Sequence, residues 1–430
     1  MGSLAAYVRL VRENRNFRRL WFAQIVSELG DWFYSLAVYS LILEVTGSAK
    51  LVGLAVAVQV LPQTLIAPTA GVVNDRMSRK RVMIAADLAR VVIVLGMMLV
   101  RTREMVWLIF PLLFLETIGW AFFEPGHSAV IPAITGQEDA ILANTLSATT
   151  WSFNLAIGSA LGGAVAAWLG RDAVFLLNAL SFLGSAALLR GMRFEEPHAD
   201  ASLPLCARDL FDFSPILEGV RYVRRDPRLL ATVFVKGGLG FLGSNLVILP
   251  LLGERVFPLS LQGIDARRAA MLGMSVLMGA RGVGALVGPI LTVPWARQRD
   301  DNMRLGILLG FLAIFAGYLV LSAAPFVWVA CLALILAHGG GSTIWVFSTT
   351  LLQKNTDDKF RGRVFSADLG LNTSMVSLTS YLAGAFIDRG VPVRQYALYT
   401  GISMLAPACA WVFALRLWRN AQSVGRDLDR

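Results

Sequence analysis

The stretch that decides the fold is Gly71-Val72-Val73-Asn74-Asp75-Arg76-Met77-Ser78-Arg79-Lys80-Arg81. It lies between two apolar runs, Leu51 to Val73 and Val82 to Val100. Each run is close to the roughly 20 apolar residues that a helix needs to cross a bilayer. The charged residues between the runs therefore form a very short cytoplasmic hinge that joins two membrane helices.

The composition of the whole chain agrees with this interpretation. Of 430 residues, 56% are hydrophobic and only 16% are charged, and the mean hydropathy is +0.61. These values do not describe a soluble surface, and the charged residues fall in short islands between apolar stretches. The three cysteines are far apart in sequence, so we expect neither a disulfide framework nor a metal site. The chain is predicted to be a polytopic membrane protein that retains its first helix.

The net charge of +10 is distributed unevenly along the chain. If the N-terminus is cytoplasmic, 27 of the 39 Lys and Arg residues fall on the inner side, nine lie in outer loops and the others lie within helices. Positive charge on the cytoplasmic side orients membrane proteins. This pattern predicts that both termini are cytoplasmic. Membrane orientation accounts for the positive charge, so we do not expect nucleic acid as a partner.

The hydrophobic pattern predicts twelve membrane helices in an all-α fold of two six-helix bundles, residues 1–190 and 229–430, joined by a cytoplasmic linker, residues 191–228. The linker includes an amphipathic segment, Asp209 to Arg225, which we expect to lie as a helix on the inner membrane surface. The predicted spans run from Leu20 to Val45, Leu51 to Val73, Val82 to Val100, Met105 to Phe123, Leu142 to Leu169, Asp172 to Leu189, Leu229 to Val256, Ala269 to Trp295, Leu305 to Ala324, Phe326 to Leu352, Val364 to Phe386 and Tyr396 to Trp418.

Several motifs resemble the major facilitator superfamily of transporters. The hinge resembles its signature G-x-x-x-D-R-x-G-R-[RK] at Gly71, Asp75, Arg76, Arg79 and Lys80, with Ser78 in place of the usual glycine. Other stretches resemble the drug-efflux branch that contains macrolide and enterobactin exporters, and they are Asn16 to Trp21, Gly30 to Phe33, Pro125 to Asn144, Asn178 to Phe182 and Arg361 to Phe365. The resemblance implies two bundles that rock to give alternating access.

Charged residues inside predicted helices are the candidates for coupling and substrate binding. Asp31 and Glu28 lie three residues apart on one face of the first helix. A charge at the bilayer centre costs about 2.5–3.5 kcal/mol, so such residues usually serve transport. Asp31 alternatively caps a kink after Gly30 or pairs with a basic residue. Glu116 in the fourth helix follows the same energetic argument, with no partner visible in the sequence.

Basic residues inside the helices have two interpretations each. Lys236 either faces Asp31 or Glu28 or extends to the inner surface, because it lies about two turns into its helix. Arg281 either binds an anionic group or neutralises a buried carboxylate. Asp87 and Arg90, three residues apart, are predicted to form an intrahelical ion pair that supports the hinge.

Two further sets of residues follow from the resemblance. Gly158 and Gly162 stand in a stretch similar to the antiporter signature G-P-x-x-G-G, with Ser159 in place of proline, and they predict close helix packing near the cavity. At the inner gate, Asp75 and Arg79 are expected to latch the two halves, with Glu124 and Asp368 as partners. His338 is interpreted as a polar core residue.

The sequence therefore predicts a bacterial inner-membrane carrier that exports a hydrophobic or amphipathic small molecule against inward proton flow. We expect no cofactor other than the coupling proton, a monomer, and membrane lipids and the substrate as partners. A lysophospholipid or lipid flippase of the same superfamily is the alternative. A membrane enzyme is disfavoured because the three histidines form no His-Glu-x-x-His motif. The composition does not exclude a channel or a structural scaffold.

Overall fold

The computed structural model describes residues 4–196, 214–260, 262–297 and 299–428, without the side chains of residues 4, 137, 138, 215, 216, 358, 359 and 418–428. This part of the chain is helical and contains no β-strand. The helices are α1 (Leu4–Glu13), α2 (Arg15–Thr46), α3 (Ala49–Arg76), α4 (Arg79–Met97), α5 (Ile109–Leu169), α6 (Arg171–Arg190), α7 (Ser214–Arg225), α8 (Pro227–Leu239), α9 (Asn245–Arg255), α10 (Ala266–Ala296), α11 (Asp300–Ala323), α12 (Val327–Lys354), α13 (Asp358–Asp388), α14 (Val393–Ser403) and α15 (Leu405–Leu428).

Nine segments among the described residues are long and apolar enough to span a membrane. Helices α2, α4 and α13 lie where three further spans are predicted, and each has at least 19 residues. The predicted all-α membrane fold is therefore confirmed, whereas the number twelve remains a prediction.

Helix α5 differs most from the predicted spans. The segment after Phe123 was expected to be an inner loop, but it continues as helix through Pro125 and Pro132. The break comes at Gly136, which has φ 71° and ψ 174°, a left-handed conformation that glycine adopts without steric cost. This break separates two membrane spans, Arg103–Gly136 and Asp139–Leu169. The first span begins with a short 3₁₀ turn, Arg103–Leu108, that precedes α5.

The seventh predicted span is also interrupted. A 3₁₀ turn, Gly240–Ser244, separates α8 from α9. A Cβ atom at Gly243 would lie 2.5 Å from Val376 Cα, and one at Gly240 would lie 2.5 Å from Met375 Cβ. The absence of side chains here lets the turn pack directly on α13, which explains why the glycines lie at this point of the chain.

The described residues fall into two compact units. One comprises Met1–Ser48, Val58–Asp212 and Gly253–Gly279, and the other comprises Ala49–Ala57, Phe213–Leu252 and Ala280–Arg430. Helices α3 and α10 are each divided between the two units. The boundaries predicted for the two six-helix bundles remain a prediction.

Helix α7 corresponds to the predicted amphipathic linker helix, although residues 209–213 lie outside the described part of the chain. Its Tyr222 ring stacks on Phe360 with 4.4 Å between centroids. Glu218 forms an ion pair with Arg363, with 2.6 Å between Oε2 and Nη1. One face of α7 therefore packs on the start of α13, and its location on the membrane surface remains a prediction.

Candidate functional site

A buried arginine organises the first unit. Arg90 of α4 is 1% exposed. Its Nη2 donates to Asp87 Oδ1 at 2.6 Å and to Ser27 Oγ at 3.3 Å. Its Nη1 lies 3.4 Å from Asp31 Oδ2 and 3.7 Å from Glu116 Oε1. We call Arg90, Asp31, Asp87 and Glu116 the Arg90 cluster; it joins helices α2, α4 and α5.

The surroundings of Arg90 fit its planar, cationic side chain. The guanidinium carbon lies 3.9 Å from the centroid of the Phe182 ring and 5.4 Å from that of Phe123, and aromatic faces attract such cations. A Cβ atom at Gly119 would lie only 2.7 Å from Arg90 Cγ. Gly119 thus provides the space in which the arginine side chain crosses to α5.

The charges of the Arg90 cluster do not balance. Three carboxyl groups share one guanidinium, so full ionisation leaves an excess of two negative charges. Asp31 Oδ1 and Asp87 Oδ2 are buried and have no hydrogen-bond partner in the described structure. Uncompensated charge is costly in a low-dielectric interior. The arrangement can therefore take up a proton and so reduce its charge.

Glu28 lies outside this cluster, although it is only three residues from Asp31. Its Oε1 accepts from Gln24 Nε2 at 2.8 Å, and its Oε2 accepts from Asn154 Nδ2 at 2.8 Å. The two carboxylates that the sequence places on one helix face thus have different partners, because α5 supplies Asn154 and α4 supplies Arg90. Glu124, also in α5, interacts electrostatically with Glu28.

The second unit contains its own buried ion pair. Lys236 of α8 is 3% exposed, and its Nζ donates to Asp368 Oδ2 of α13. The ammonium also lies 4.4 Å from the centroid of the Trp345 ring. Asp368 holds Lys236 in the protein interior. Lys236 therefore does not extend to the inner membrane surface, which was one of the two interpretations of the sequence.

Arg281 lies near two buried polar side chains of the second unit. Tyr318 Oη is 3.5 Å from His338 Nε2. Both residues interact electrostatically with Arg281. His338 is 6% exposed and thus lies in the core, as expected from the sequence. The role of Arg281 in binding or neutralising an anion remains a prediction.

The hinge is shorter than the sequence suggests, because α3 extends to Arg76 and α4 begins at Arg79. Asp75 is paired with Arg79 at 3.6 Å and its side chain is 75% exposed. Arg79 Nη1 also donates to the Ala129 carbonyl at 3.3 Å. A Cβ atom at Gly71 would meet nothing within 4 Å, so no close contact requires glycine there.

Ser78, which replaces the usual glycine of the signature, caps α4. Its Oγ accepts from Arg81 N at 3.3 Å and donates to Glu196 Oε2 at 2.5 Å. Glu196 Oε1 accepts from Arg79 N at 2.7 Å, and Lys80 Nζ donates to the Met192 carbonyl at 2.7 Å. The first residues of the linker are therefore bound to the hinge, a contact that no motif in the sequence predicts.

The other predicted gate residues have partners within their own units. Glu124 lies 3.5 Å from the Ser128 hydroxyl, which donates to it, and Asp368 is paired with Lys236. These contacts do not include the partners expected at the inner gate, Asp75 and Arg79. The gate assignment of Glu124 and Asp368 remains a prediction.

The predicted packing glycines of α5 lie against α2. A Cβ atom at Gly158 would be 2.8 Å from Trp32 Cβ, and one at Gly162 would be 2.9 Å from Phe33 Cα. Ser159, in the position of the signature proline, is fully buried. The glycines therefore bring α2 and α5 into direct contact beside the Arg90 cluster.

Comparison with known proteins identifies the family. Residues 10–427 match a family model of the major facilitator superfamily that is described as a transmembrane secretion effector. The chain belongs to this family. It is accordingly a multi-pass membrane transporter of the efflux type, as the hinge motif predicts.

Relatives and solved structures agree with this assignment. The chain is 24% identical over 412 residues to macrolide efflux protein A of Streptococcus pyogenes, which covers 93% of this chain and 96% of the relative. It is 23% identical over 384 residues to the putative bacilysin exporter BacE of Bacillus subtilis, with 86% and 90% covered. A POT family transporter in complex with 5-aminolevulinic acid has a similar fold, with a TM-score of 0.73, 12% identity, and 94% and 96% covered.

Proposed function

We propose that this protein is a secondary active carrier of the bacterial inner membrane that exports a hydrophobic or amphipathic small molecule in exchange for protons. The single observation that carries the proposal is the Arg90 cluster, in which three carboxyl groups share one buried cation. Two relatives are named as exporters of small molecules, a macrolide and bacilysin. The names of the relatives support outward transport, and the Arg90 cluster supports coupling to protons.

Asp31 is the proposed proton carrier within the cluster. Its side chain is 26% exposed, whereas those of Asp87 and Glu116 are 0% and 10% exposed. Asp31 is also farther from the guanidinium than Asp87 is, at 3.4 Å against 2.6 Å. Asp31 is thus the most exposed of the three carboxylates and is paired less closely than Asp87, which favours it as the group that gains and loses a proton.

Proton binding changes the charge of the cluster and thereby the relative free energies of two carrier conformations. A ligand shifts such an equilibrium only by its differential affinity for the two states. In this proposal the protonated cluster favours one orientation of the carrier and the ionised cluster favours the other. The hinge around Asp75 and Arg79 acts as the gate that separates the two orientations.

Gradient-driven transport in proteoliposomes tests the proposal. Asp31→Asn should abolish uphill transport and retain downhill exchange, because an amide resembles the protonated carboxyl group and has no proton to release. Asp172→Asn is the matched control, since Asp172 forms an exposed ion pair with Arg101. This variant should transport normally. Equal uphill transport by Asp31→Asn, or wild-type transport that ignores the pH gradient, would contradict proton antiport and favour facilitated lipid flipping.

A further inference from the structure

The second unit contains a cavity that the proposed mechanism does not use. It lies between the 3₁₀ turn Gly240–Ser244, α13 and α14. Its volume is about 390 Å³, and pockets that hold small ligands measure about 300–1,000 Å³. Four aromatic residues and four serine or threonine residues line it, and none of these described residues is charged. Because a buried charge needs a partner, the lining suits a ligand without charge.

Two helix faces form the long walls of the cavity. Thr379 and Phe386 line it from α13, and Tyr396 and Ser403 line it from α14. The members of each pair are seven residues apart, so each pair lies on one face of its helix and spans about 10.5 Å. The cavity is therefore elongated along the two helices, a shape that fits part of a chain-like molecule.

The two ends of the lining differ in chemistry. Phe386 and Tyr399 are 42% and 46% exposed, whereas Ser244 and Thr400 are 2% and 4% exposed. The aromatic rings thus stand at the mouth, and the hydroxyl groups lie in the buried part. A ligand that enters here places a polar group inside the protein and an apolar body towards the surface.

The hydroxyl groups of the serine and threonine residues have already used their protons. Thr379 and Ser403 donate to backbone carbonyls at 2.9 Å and 2.7 Å. Thr400 donates to another carbonyl at 3.1 Å. Ser244 Oγ lies 2.9 Å from Thr400 Oγ1 and 3.3 Å from a carbonyl to which it donates. A hydroxyl group has one proton and two lone pairs, so the buried part of the cavity accepts hydrogen bonds from a ligand that donates them.

The cavity lies near one end of α13 and α14. Phe386 is two residues before the end of α13, and Tyr396 is three residues after the start of α14. Residues 389–392 join the two helices, and the predicted orientation puts this loop on the outer side of the membrane. Tyrosine is enriched where a bilayer meets water. The cavity is therefore expected in the outer half of the bilayer.

Charged side chains close to the cavity along the chain have other partners or lie outside the lining. Asp388 accepts from Ala49 N at 2.8 Å and from Lys50 N at 3.1 Å, and thus caps the first turn of α3. Arg394 Nη1 donates to a backbone carbonyl at 3.5 Å. Arg389 is exposed in the loop. The described lining therefore supplies no counter-ion for an ammonium group or for a phosphate.

We propose that this cavity binds an uncharged lipid with a free hydroxyl group, taken from the outer leaflet of the membrane. We call it the lipid-alcohol site. The hydroxyl group of the lipid donates to Ser244 or Thr400, and the hydrocarbon chain lies along Phe386 and Tyr399 towards the bilayer. The site shares no residue with the Arg90 cluster, so the proposal does not depend on proton antiport.

Photoactivatable probes test the lipid-alcohol site in the purified full-length protein in detergent micelles. The probes share one long chain that carries a diazirine, and they end in an alcohol, a methyl ether, a carboxylate or an ammonium group. Peptide mapping by mass spectrometry measures the labelling of α13 and α14. The alcohol should label these helices about fivefold more than the ether, which cannot donate a hydrogen bond. Both charged probes should label them less than the alcohol does, because the lining offers them no counter-ion.

Two variants separate a specific effect from a folding defect. Ser403→Phe fills the cavity and should remove most of the labelling by the alcohol. Its matched control is Ile402→Phe, because Ile402 is the adjacent residue, is 47% exposed and lies outside the lining. Thr400→Val should lower labelling by the alcohol at least about threefold, since it removes one acceptor. Labelling of Thr400→Val by the ether should equal that of the wild type.

Lipids that copurify with the protein from native membranes identify the source of the ligand. The wild type and Ile402→Phe should carry an uncharged lipid alcohol, and Ser403→Phe should carry much less of it. Equal amounts in Ser403→Phe and Ile402→Phe would overturn the proposal. Equal labelling of the wild type by alcohol and ether, or stronger labelling by either charged probe, would also overturn it.

Discussion

Replacement of Arg90 by methionine should destabilise the protein strongly. The side chain is 1% exposed and pairs with three carboxylates of the first unit. Removal of one partner from a buried ion pair typically costs about 3–5 kcal/mol because a charge is left uncompensated. Asp87→Leu should cost less, since Arg90 retains Asp31 and Glu116 at 3.4 Å and 3.7 Å.

Equilibrium unfolding in mixed micelles of a mild detergent and dodecyl sulfate measures these free energies. The matched control is Arg101→Met, which removes an ion pair whose side chains are 51% and 44% exposed and should cost at most about 1 kcal/mol. The double variant Arg90→Met/Asp87→Leu should be more stable than Arg90→Met alone. A loss for Arg90→Met no greater than that of the control, or a greater loss for Asp87→Leu, would refute the central role of Arg90.

Two other predictions concern the second unit and the hinge. Lys236→Met should destabilise the protein by an amount similar to Arg90→Met, because it leaves the carboxylate of Asp368, which is 1% exposed, without its partner. Lys236→Met/Asp368→Leu should recover most of this loss of stability in the same unfolding assay. A double variant that is less stable than Lys236→Met would contradict the pairing. Asp75→Asn or Arg79→Ala should lower the transport rate at least about tenfold while leaving the affinity for the substrate intact, and normal transport by both folded variants would contradict the gate.

The sequence predicts the architecture well because a bilayer imposes a length and an apolar composition on every span. It predicts the ends of spans less well. Nothing in the composition of residues 124–136 separates a polar loop from a continued helix, and the chain breaks only where Gly136 permits a positive φ. The break between α8 and α9 is signalled by its glycines, but their purpose depends on the contact with Met375 and Val376 of α13.

The candidate site is predicted in part. Energetic cost alone identifies Asp31, Glu28 and Glu116, since charged residues in membrane spans are rare. The sequence does not reveal that Asp31 and Glu116 share Arg90, because their helices become neighbours only through tertiary packing. An arginine within a span, in a chain with acidic residues in neighbouring spans, is the signal that identifies such a centre.

Contacts with the linker lie beyond any pattern in the sequence. Glu196 binds the start of α4 through Ser78 Oγ and Arg79 N. These residues are more than 100 positions apart, and no periodicity relates them. The departure at Ser78 becomes intelligible only with this contact, because its hydroxyl both caps the helix and donates to the linker carboxylate.

Proton movement driven by the substrate tests proton antiport most directly. Proteoliposomes that contain a pH-sensitive dye are prepared without a pH gradient and are loaded with a fluorescent amphiphilic probe, which gives an outwardly directed gradient of the probe. The account predicts that the wild type moves protons in the direction opposite to the probe and that Asp31→Asn moves the probe without protons. Probe transport by the wild type with no accompanying change in internal pH, beyond that of protein-free liposomes, would contradict the account.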